Sequence, residues 1–164
     1  MPADMLVKLY RLKEKPELCE KMKAQGVSIK RAMAADTGRV VQFVKNNFGD
    51  GWAHECAYAM TSHPISCFVA VRAKRVIGFA CYDASAKNFF GPTGVIEDYR
   101  GLGVGEALLR ACLTAMKNDG YGYAIIGWAD DAMKFYEKTV GATAILDSFP
   151  GIYQSMIKQD EQGD

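Results

Sequence analysis

The chain has 164 residues, 49% of them apolar and 24% charged, with a formal net charge of +1. That balance suits a single domain with one sizeable core and argues against disorder. Lys and Arg are scattered rather than gathered on one face, which argues against nucleic acid as the main ligand, and no apolar run reaches membrane-spanning length.

In chain order, residues 5–12 (MLVKLYRL) read as a short strand, preceded by a flank without the apolar core of a signal peptide. Pro16 is placed to open a short helix and Gly26 to close it. Residues 27–33 alternate and read as a strand. Asp36 is a good N-cap for a helix to about Phe48, with Val40, Val41, Val44 and Phe48 on one face. GDG at 49–51 breaks that helix, and WAHECAYAM restarts one that ends before Pro64. Residues 66–73 and 75–83 form a hairpin that turns near Ala73–Lys74. NFFGPTGVI is β-like, but Pro92 lacks the donor a ladder needs, which predicts a bulge or an edge there.

A helix follows from Gly103 to Asn118, with Val104, Ala107, Leu108, Ala111, Cys112, Ala115 and Met116 on its apolar face. Glu106 and Arg110 lie opposite as a solvated i, i+4 pair. Residues 121–128 form a buried strand, Asp130 and Asp131 open a helix that Gly141 stops, and TAILD and IYQSMIK read as two closing strands around FPG. No repeat or linker interrupts this order, so the expectation is one mixed α/β domain over 1–164. The five cysteines (19, 56, 67, 81 and 112) show no CxxC and no metal-ligand spacing. They read as reduced thiols in a cytoplasmic core, with no metal expected. Cys81 falls in a strand with no paired histidine and reads as core.

The chemistry-bearing stretch is YRGLGVGEALLRACL. Glycines at 101, 103 and 105 stand between a strand and a helix, beside Arg100. A helix N-terminus exposes N–H groups and partial positive charge, and glycines let an anion approach them, so the stretch reads as a phosphate cradle. The alternative is a tight strand-to-helix turn in which glycine only suits the backbone. The Rossmann spacing fails, because its third glycine would fall on Glu106 or Leu108. A Walker A loop fails too, since no Gly-Lys-Ser/Thr occurs there.

Arg100-Gly101-Leu102-Gly103-Val104-Gly105, with a strand and Asp98-Tyr99 before it and a strand and FYEK after it, resembles the acyl-CoA-binding motif of the GNAT superfamily of N-acetyltransferases. The resembling order covers roughly residues 27–157, with an extra strand and helix at about 5–25. The resemblance implies a mostly antiparallel central sheet with splayed strands, flanked by helices. It implies acetyl-CoA as co-substrate, with the amides of Arg100, Gly101, Leu102, Gly103, Val104 and Gly105 on the pyrophosphate and with Thr93 and Val95 along the pantetheine arm. On this basis Gly103→Val abolishes coenzyme A binding and leaves the fold intact. A backbone N–H at Val95 would polarise the thioester carbonyl, and Tyr136 of FYEK would protonate the departing thiolate. The acceptor would be a primary amine of a small molecule or peptide, attacking directly in a ternary complex. A homodimer is in keeping with the resemblance, and neither nucleic acid nor membrane is expected as a partner.

The residue types suit that reaction. A free alkylamine has a pKa of about 10.4 and must lose a proton to attack. An aimed N–H stabilises the oxyanion of acyl transfer, and a tyrosine O–H can serve the leaving thiolate. Departures from the resemblance concern the base and the acceptor side. Trp128-Ala129-Asp130 stands where relatives carry an asparagine, Phe89 and Ala124 stand where a base glutamate is usual, and Ala142 replaces a phenylalanine. Glu97 is the base candidate at the cradle edge, with Asp83, Glu55 and His54 as others, though His54 reads better as a surface helix residue and His63 as a loop residue. Trp52, Tyr82, Trp128 and Tyr153 are candidate walls of the acceptor cleft or else core. Two other functions stay open: a non-catalytic acyl-CoA-binding sensor, and a protein for another phosphate ligand.

Overall fold

A computed structural model describes residues 2–158. Along the chain come β1 (Met5–Lys8), α1 (Pro16–Ala24), β2 (Val27–Arg31), α2 (Thr37–Phe48), α3 (Asp50–Met60), β3 (Cys67–Arg72), β4 (Arg75–Tyr82), β5 (Phe89–Val95), α4 (Val104–Asn118), β6 (Tyr123–Ile126), α5 (Met133–Val140) and β7 (Thr143–Ala144). The strands form one sheet in the order β2-β3-β4-β5-β6-β1-β7. Every pairing is antiparallel except β5 with β6.

Two cores sandwich the sheet. On one face α1 and α4 pack through Leu18, Met22, Leu108, Leu109, Leu113 and Met116 against Val7, Ile77, Ala80 and Ile126. On the other, α2 and α3 bring Val40, Val44, Ala53 and Cys56 onto Val69, Phe79 and Cys81. Each fully buried Leu or Met stabilises the fold by roughly 1.5–3 kcal/mol. No helix among the described residues is long and apolar enough to cross a membrane.

The expected elements form in the expected order, with several corrections. β6 spans only Tyr123–Ile126 and exposes Tyr123, and α5 begins at Met133 with Ala132 as N-cap, so Asp130 and Asp131 precede the helix and do not open it. The first strand ends at Lys8, and Leu9–Arg11 is a 3-10 turn. Asp36 occupies the N-cap position of α2 but makes no side-chain cap, because its carboxylate takes Arg39 instead at 3.4 Å. Of the two closing strands, TAILD pairs only at Thr143–Ala144, and Gly151–Ser155 is a 3-10 turn. The cause is β1. It lies against β6 on one edge and β7 on the other, so the N-terminal segment takes the place beside β6 and β7 is left as a short edge. The Glu106–Arg110 pair is not a solvated one. Glu106 accepts from Arg110 at 2.8 Å and from Lys15 of the segment before α1 at 3.0 Å, with side-chain exposures of only 13% and 19% for Glu106 and Arg110.

The hairpin turns at Ala73 and Lys74, both with positive φ (49° and 63°), and Arg72 faces Arg75. The register shift expected near Pro92 lies between Ala80 and Tyr82 of β4 opposite β5. β5 is a central strand, so the outcome is a bulge and not an edge.

Candidate active site

The chemistry of the site starts from the way β5 leaves β6. The two pair only at Phe89 with Ile125 and Phe90 with Ile126. Beyond Phe90, β5 stays on β4 and its other edge has no strand beside it. Ile96 donates to the Ile77 carbonyl at 3.0 Å. Antiparallel alternation therefore turns Gly94 toward β4, and turns the N–H groups of Thr93 and Val95 to the open edge. The Val95 carbonyl faces the same way and accepts from Arg100 Nε at 2.9 Å.

A cavity of about 410 Å³ fills this opening, lined by Phe90, Thr93, Gly94, Val95, Arg100, Gly105, Leu109, Ala132, Phe135 and Tyr136. It thus brings together five of the residues singled out from the sequence: Thr93, Val95, Arg100, Gly105 and Tyr136. Phe90, Leu109, Ala132 and Phe135 were missed. They come from three different elements, and their apolar character alone marks them only as core.

The three glycines separate by role. Gly103 is the N-cap of α4 with φ +90°, and no side chain caps the helix there, so its first-turn N–H groups are free of a protein side-chain acceptor. A Cβ at Gly103 would lie 3.2 Å from Leu18 Cδ1 and 3.4 Å from both Lys21 Nζ and Met22 Cε of α1. Gly103 therefore serves a left-handed turn tucked under α1. The expectation that Gly103→Val leaves the fold intact is corrected on both grounds. Gly101 also has positive φ (+76°) but faces open space. Gly105 is helical, and a Cβ there would meet only Val95 Cγ2 at 3.9 Å. It is the glycine whose missing side chain leaves room in the cavity. The acid in this first turn, Glu106, is neutralised by Lys15 and Arg110. Burial acts to raise its pKa, but the hydrogen bonds from Arg110 and Lys15 outweigh that and hold it low. Lys21 is a cation beside the cradle that no local sequence pattern marks.

Tyr136 projects from α5 and is 7% exposed, edge-on to Phe90 at 6.3 Å. Burial pushes its phenol up to about 12, so the proton stays on at neutral pH. Val95 and Tyr136 thus bring an N–H donor and an O–H donor to one cavity.

The base candidates lie elsewhere. Glu97 sits in an exposed 3-10 turn after β5 and does not line the cavity. Both oxygens of Asp83 are used, one by the Asn88 N–H at 2.7 Å and one by the Tyr121 hydroxyl at 2.9 Å. His54 is exposed on α3, and Glu55 of the same helix accepts from the Ser85 hydroxyl at 2.8 Å. Of the candidate acceptor walls, Tyr82 is only 1% exposed, and its hydroxyl accepts from Arg31 at 2.8 Å, which makes it a core pillar. Trp52 is 41% exposed and lies 5.6 Å from Phe48, whose ring covers Gly94 so closely that a Cβ there would be 2.5 Å from Phe48 Cζ. Trp128 and Tyr153 lie 4.4 Å apart beyond the end of β6.

Cys56, Cys67 and Cys81 place their sulfurs within 4.8 Å of one another in the α2–α3 core. Burial pushes the Cys81 thiol up, and none of the three lines the cavity. A buried thiol cluster in an apolar core is not by itself an argument for a metal.

The acetyltransferase (GNAT) family model matches residues 35–142. Comparison with curated proteins gives no match. Among solved structures, a fungal multi-domain GH3 β-N-acetylglucosaminidase with a GCN5-related glucosamine N-acetyltransferase region superposes with TM-score 0.73 at 17% identity, over 88% of this chain and 20% of that one. A GCN5-related N-acetyltransferase from Sphaerobacter thermophilus gives 0.64 at 14% identity, over 88% of this chain and 50% of that one. Ard1 from Thermoplasma volcanium gives 0.53 at 20% identity, over 69% and 80%. This chain therefore spans a fifth and a half of the first two, and at such identities the likeness is one of fold.

Proposed function

The chain belongs to the GNAT family of acetyltransferases, and on that premise we propose that it moves an acetyl group from acetyl-CoA to the primary amine of a small molecule or peptide by direct attack. The supporting observation is a single cavity that joins the open N–H edge of β5, the uncapped start of α4 at Gly105 and the Tyr136 hydroxyl. Acetyl-CoA fits the residues present. The space that Gly105 leaves, the free first-turn amides and Arg100 suit a pyrophosphate, and the apolar run past Leu109 suits a pantetheine arm.

Acetyl-CoA would supply the activated acyl group as a thioester. The amides from Gly101 to Gly105, with Arg100, would hold its anionic end. Val95 N–H would lie toward the thioester carbonyl and stabilise charge that develops on that oxygen. Tyr136 would donate its proton to the departing sulfur. The buried apolar walls Phe90 and Leu109 would lower the local dielectric, which would strengthen both hydrogen bonds.

The test is release of free thiol from acetyl-CoA with a panel of primary amines. Tyr136→Phe is expected to lower kcat by about 10²-fold while acetyl-CoA affinity holds. Unchanged turnover would remove Tyr136 as the acid. Acetyl-CoA binding without thiol release for any amine would favour the non-catalytic acyl-CoA sensor instead.

A further inference from the structure

Aromatic side chains gather beside both diverging strands, outside the cavity lining itself, and the Glu55 carboxylate stands near each group. The β5 wall is Phe48 and Trp52: Phe48 lies on Gly94, and Trp52 packs against Phe48 at 5.6 Å and Phe79 at 6.3 Å. The β6 wall is Tyr153, Trp128 and Phe149. The Tyr153 hydroxyl stands 3.2 Å from the Cβ position of Gly127, the residue that follows β6, and the Trp128 ring lies 5.5 Å from Phe149. Trp128 is held there against its backbone preference, with φ +46°. Its N–H donates to Asp4 Oδ1 at 3.0 Å and its ring Nε1 to the Pro150 carbonyl at 3.1 Å.

Glu55 sits three residues after Trp52 on α3, on the same side of the helix. Its Oε1 accepts from Ser85 at 2.8 Å. The Tyr153 phenol is raised first by burial, lowered by Ser85, and raised further by the Glu55 and Asp4 carboxylates, so both Ser85 and Glu55 stand near it. Glu55 is in none of the four ion pairs among the described residues, so its carboxylate has no paired protein cation. α3 also lies on the sheet face opposite α4, the face from which an acceptor would meet an acyl group held from the α4 side.

Resting on the acetyltransferase reading above, we propose that Glu55, between the Trp52 and Trp128–Tyr153 walls, selects the acceptor: it takes the ammonium form of a primary amine on an aromatic body and disfavours one that carries a carboxylate beside the amine. The chemistry follows from charge and π-faces. A primary alkylamine reaches the protein as ammonium at neutral pH. A carboxylate and aromatic faces both attract that cation, while an acceptor carboxylate is repelled by Glu55 and Asp4. Glu55 is a specificity residue here; the proton that the amine must lose is not assigned to it.

Phenethylamine and phenylalanine share a ring, a spacer and an amine and differ by one carboxylate. The chain has two tryptophans, Trp52 and Trp128, and each stands on one wall, so intrinsic fluorescence reports the space directly. Both amines are titrated into the full chain with and without coenzyme A. We expect a saturable change with phenethylamine and at least about tenfold weaker binding of phenylalanine. Glu55→Gln keeps an oxygen for Ser85. It should weaken phenethylamine about tenfold and narrow the gap between the two, with acetyl-CoA affinity unchanged. Equal affinity for both amines, no saturable change with phenethylamine, or an unaffected Glu55→Gln would overturn the proposal. Thermal unfolding with acetyl-CoA keeps the two readings apart. A shift alongside a flat amine titration sinks Glu55 alone, whereas no shift sinks the acetyltransferase reading itself.

Discussion

Tyr136 illustrates how burial suits one hydroxyl to the acid role proposed for it. Its ring is packed by Phe90 and Phe135, so its position is set by the core, and the same burial keeps its proton on up to about pH 12. The sign follows directly. An acid whose pKa is raised stays competent as pH rises, so the rate should climb as the amine loses its proton and show no fall from Tyr136 below about pH 11. A falling limb centred between pH 8 and 10 would contradict the assignment. The glycines make a second residue-scale contrast. Gly103→Ala must take a left-handed φ, at a cost of about 1–2 kcal/mol, and press on Leu18. Its melting temperature should fall with or without ligand. Gly105→Val should melt near wild type and lose its response to acetyl-CoA. If Gly105→Val responds normally, the cradle is misplaced. The sequence marked Arg100 to Gly105 because the function proposed for them shows in local spacing. It could not show that Gly103 turns under α1, since Leu18 and Met22 lie some eighty residues earlier along the chain.

At the scale of elements, α1 is tied to α4 by the Glu106 carboxylate between Lys15 and Arg110, and Arg110 further reaches the Lys13 and Thr139 carbonyls at 2.8 Å. Glu106→Gln should destabilise the fold by about 1–2 kcal/mol at neutral pH. Because the folded pKa of Glu106 lies below its ordinary value of 4.5, that contribution is present above pH 4.5 and lost as acid protonates the folded carboxyl. The gap in melting temperature between wild type and Glu106→Gln should therefore narrow as the pH is lowered below 4.5; a gap that stays constant or widens through acid pH would mean that the charge is not what counts. The β3–β4 hairpin offers an independent check. Ala73 and Lys74 both take positive φ, which Asn-Gly adopts more readily. Replacing the pair with Asn-Gly should add about 1 kcal/mol, a rise of roughly 2–4 °C in melting temperature for a chain of this size. Alternating patterns and the turn position made this hairpin legible in advance. The tether from α1 to α4 was not, because an i, i+4 pair on one helix says nothing of the lysine that another segment brings to it.

For the whole molecule, the decisive feature is that β1 enters the sheet between β6 and β7. It brings Asp4, 7% exposed, to the end of β6, where it accepts from Trp128 and its own N–H donates to Ser148. The N-terminal segment thus fixes Trp128 at the end of β6, a contact that strand-like patterning at residues 5–12 cannot reveal. The same insertion left the closing segment without a strand partner, so its alternating residues form a 3-10 turn that carries Tyr153. Pattern within a segment made the mixed sheet and the cradle readable, whereas the convergence of Glu55, Ser85 and Tyr153 depends on the topology that folds three distant segments together.

Thermal unfolding of the wild-type chain with acetyl-CoA, and with NAD and ATP as controls, tests the central claim most directly. At a hundredfold excess over the dissociation constant, bound ligand adds about 2.7 kcal/mol. The account predicts a rise of about 5–11 °C with acetyl-CoA alone. No shift at millimolar acetyl-CoA, or an equal shift with all three ligands, would contradict it.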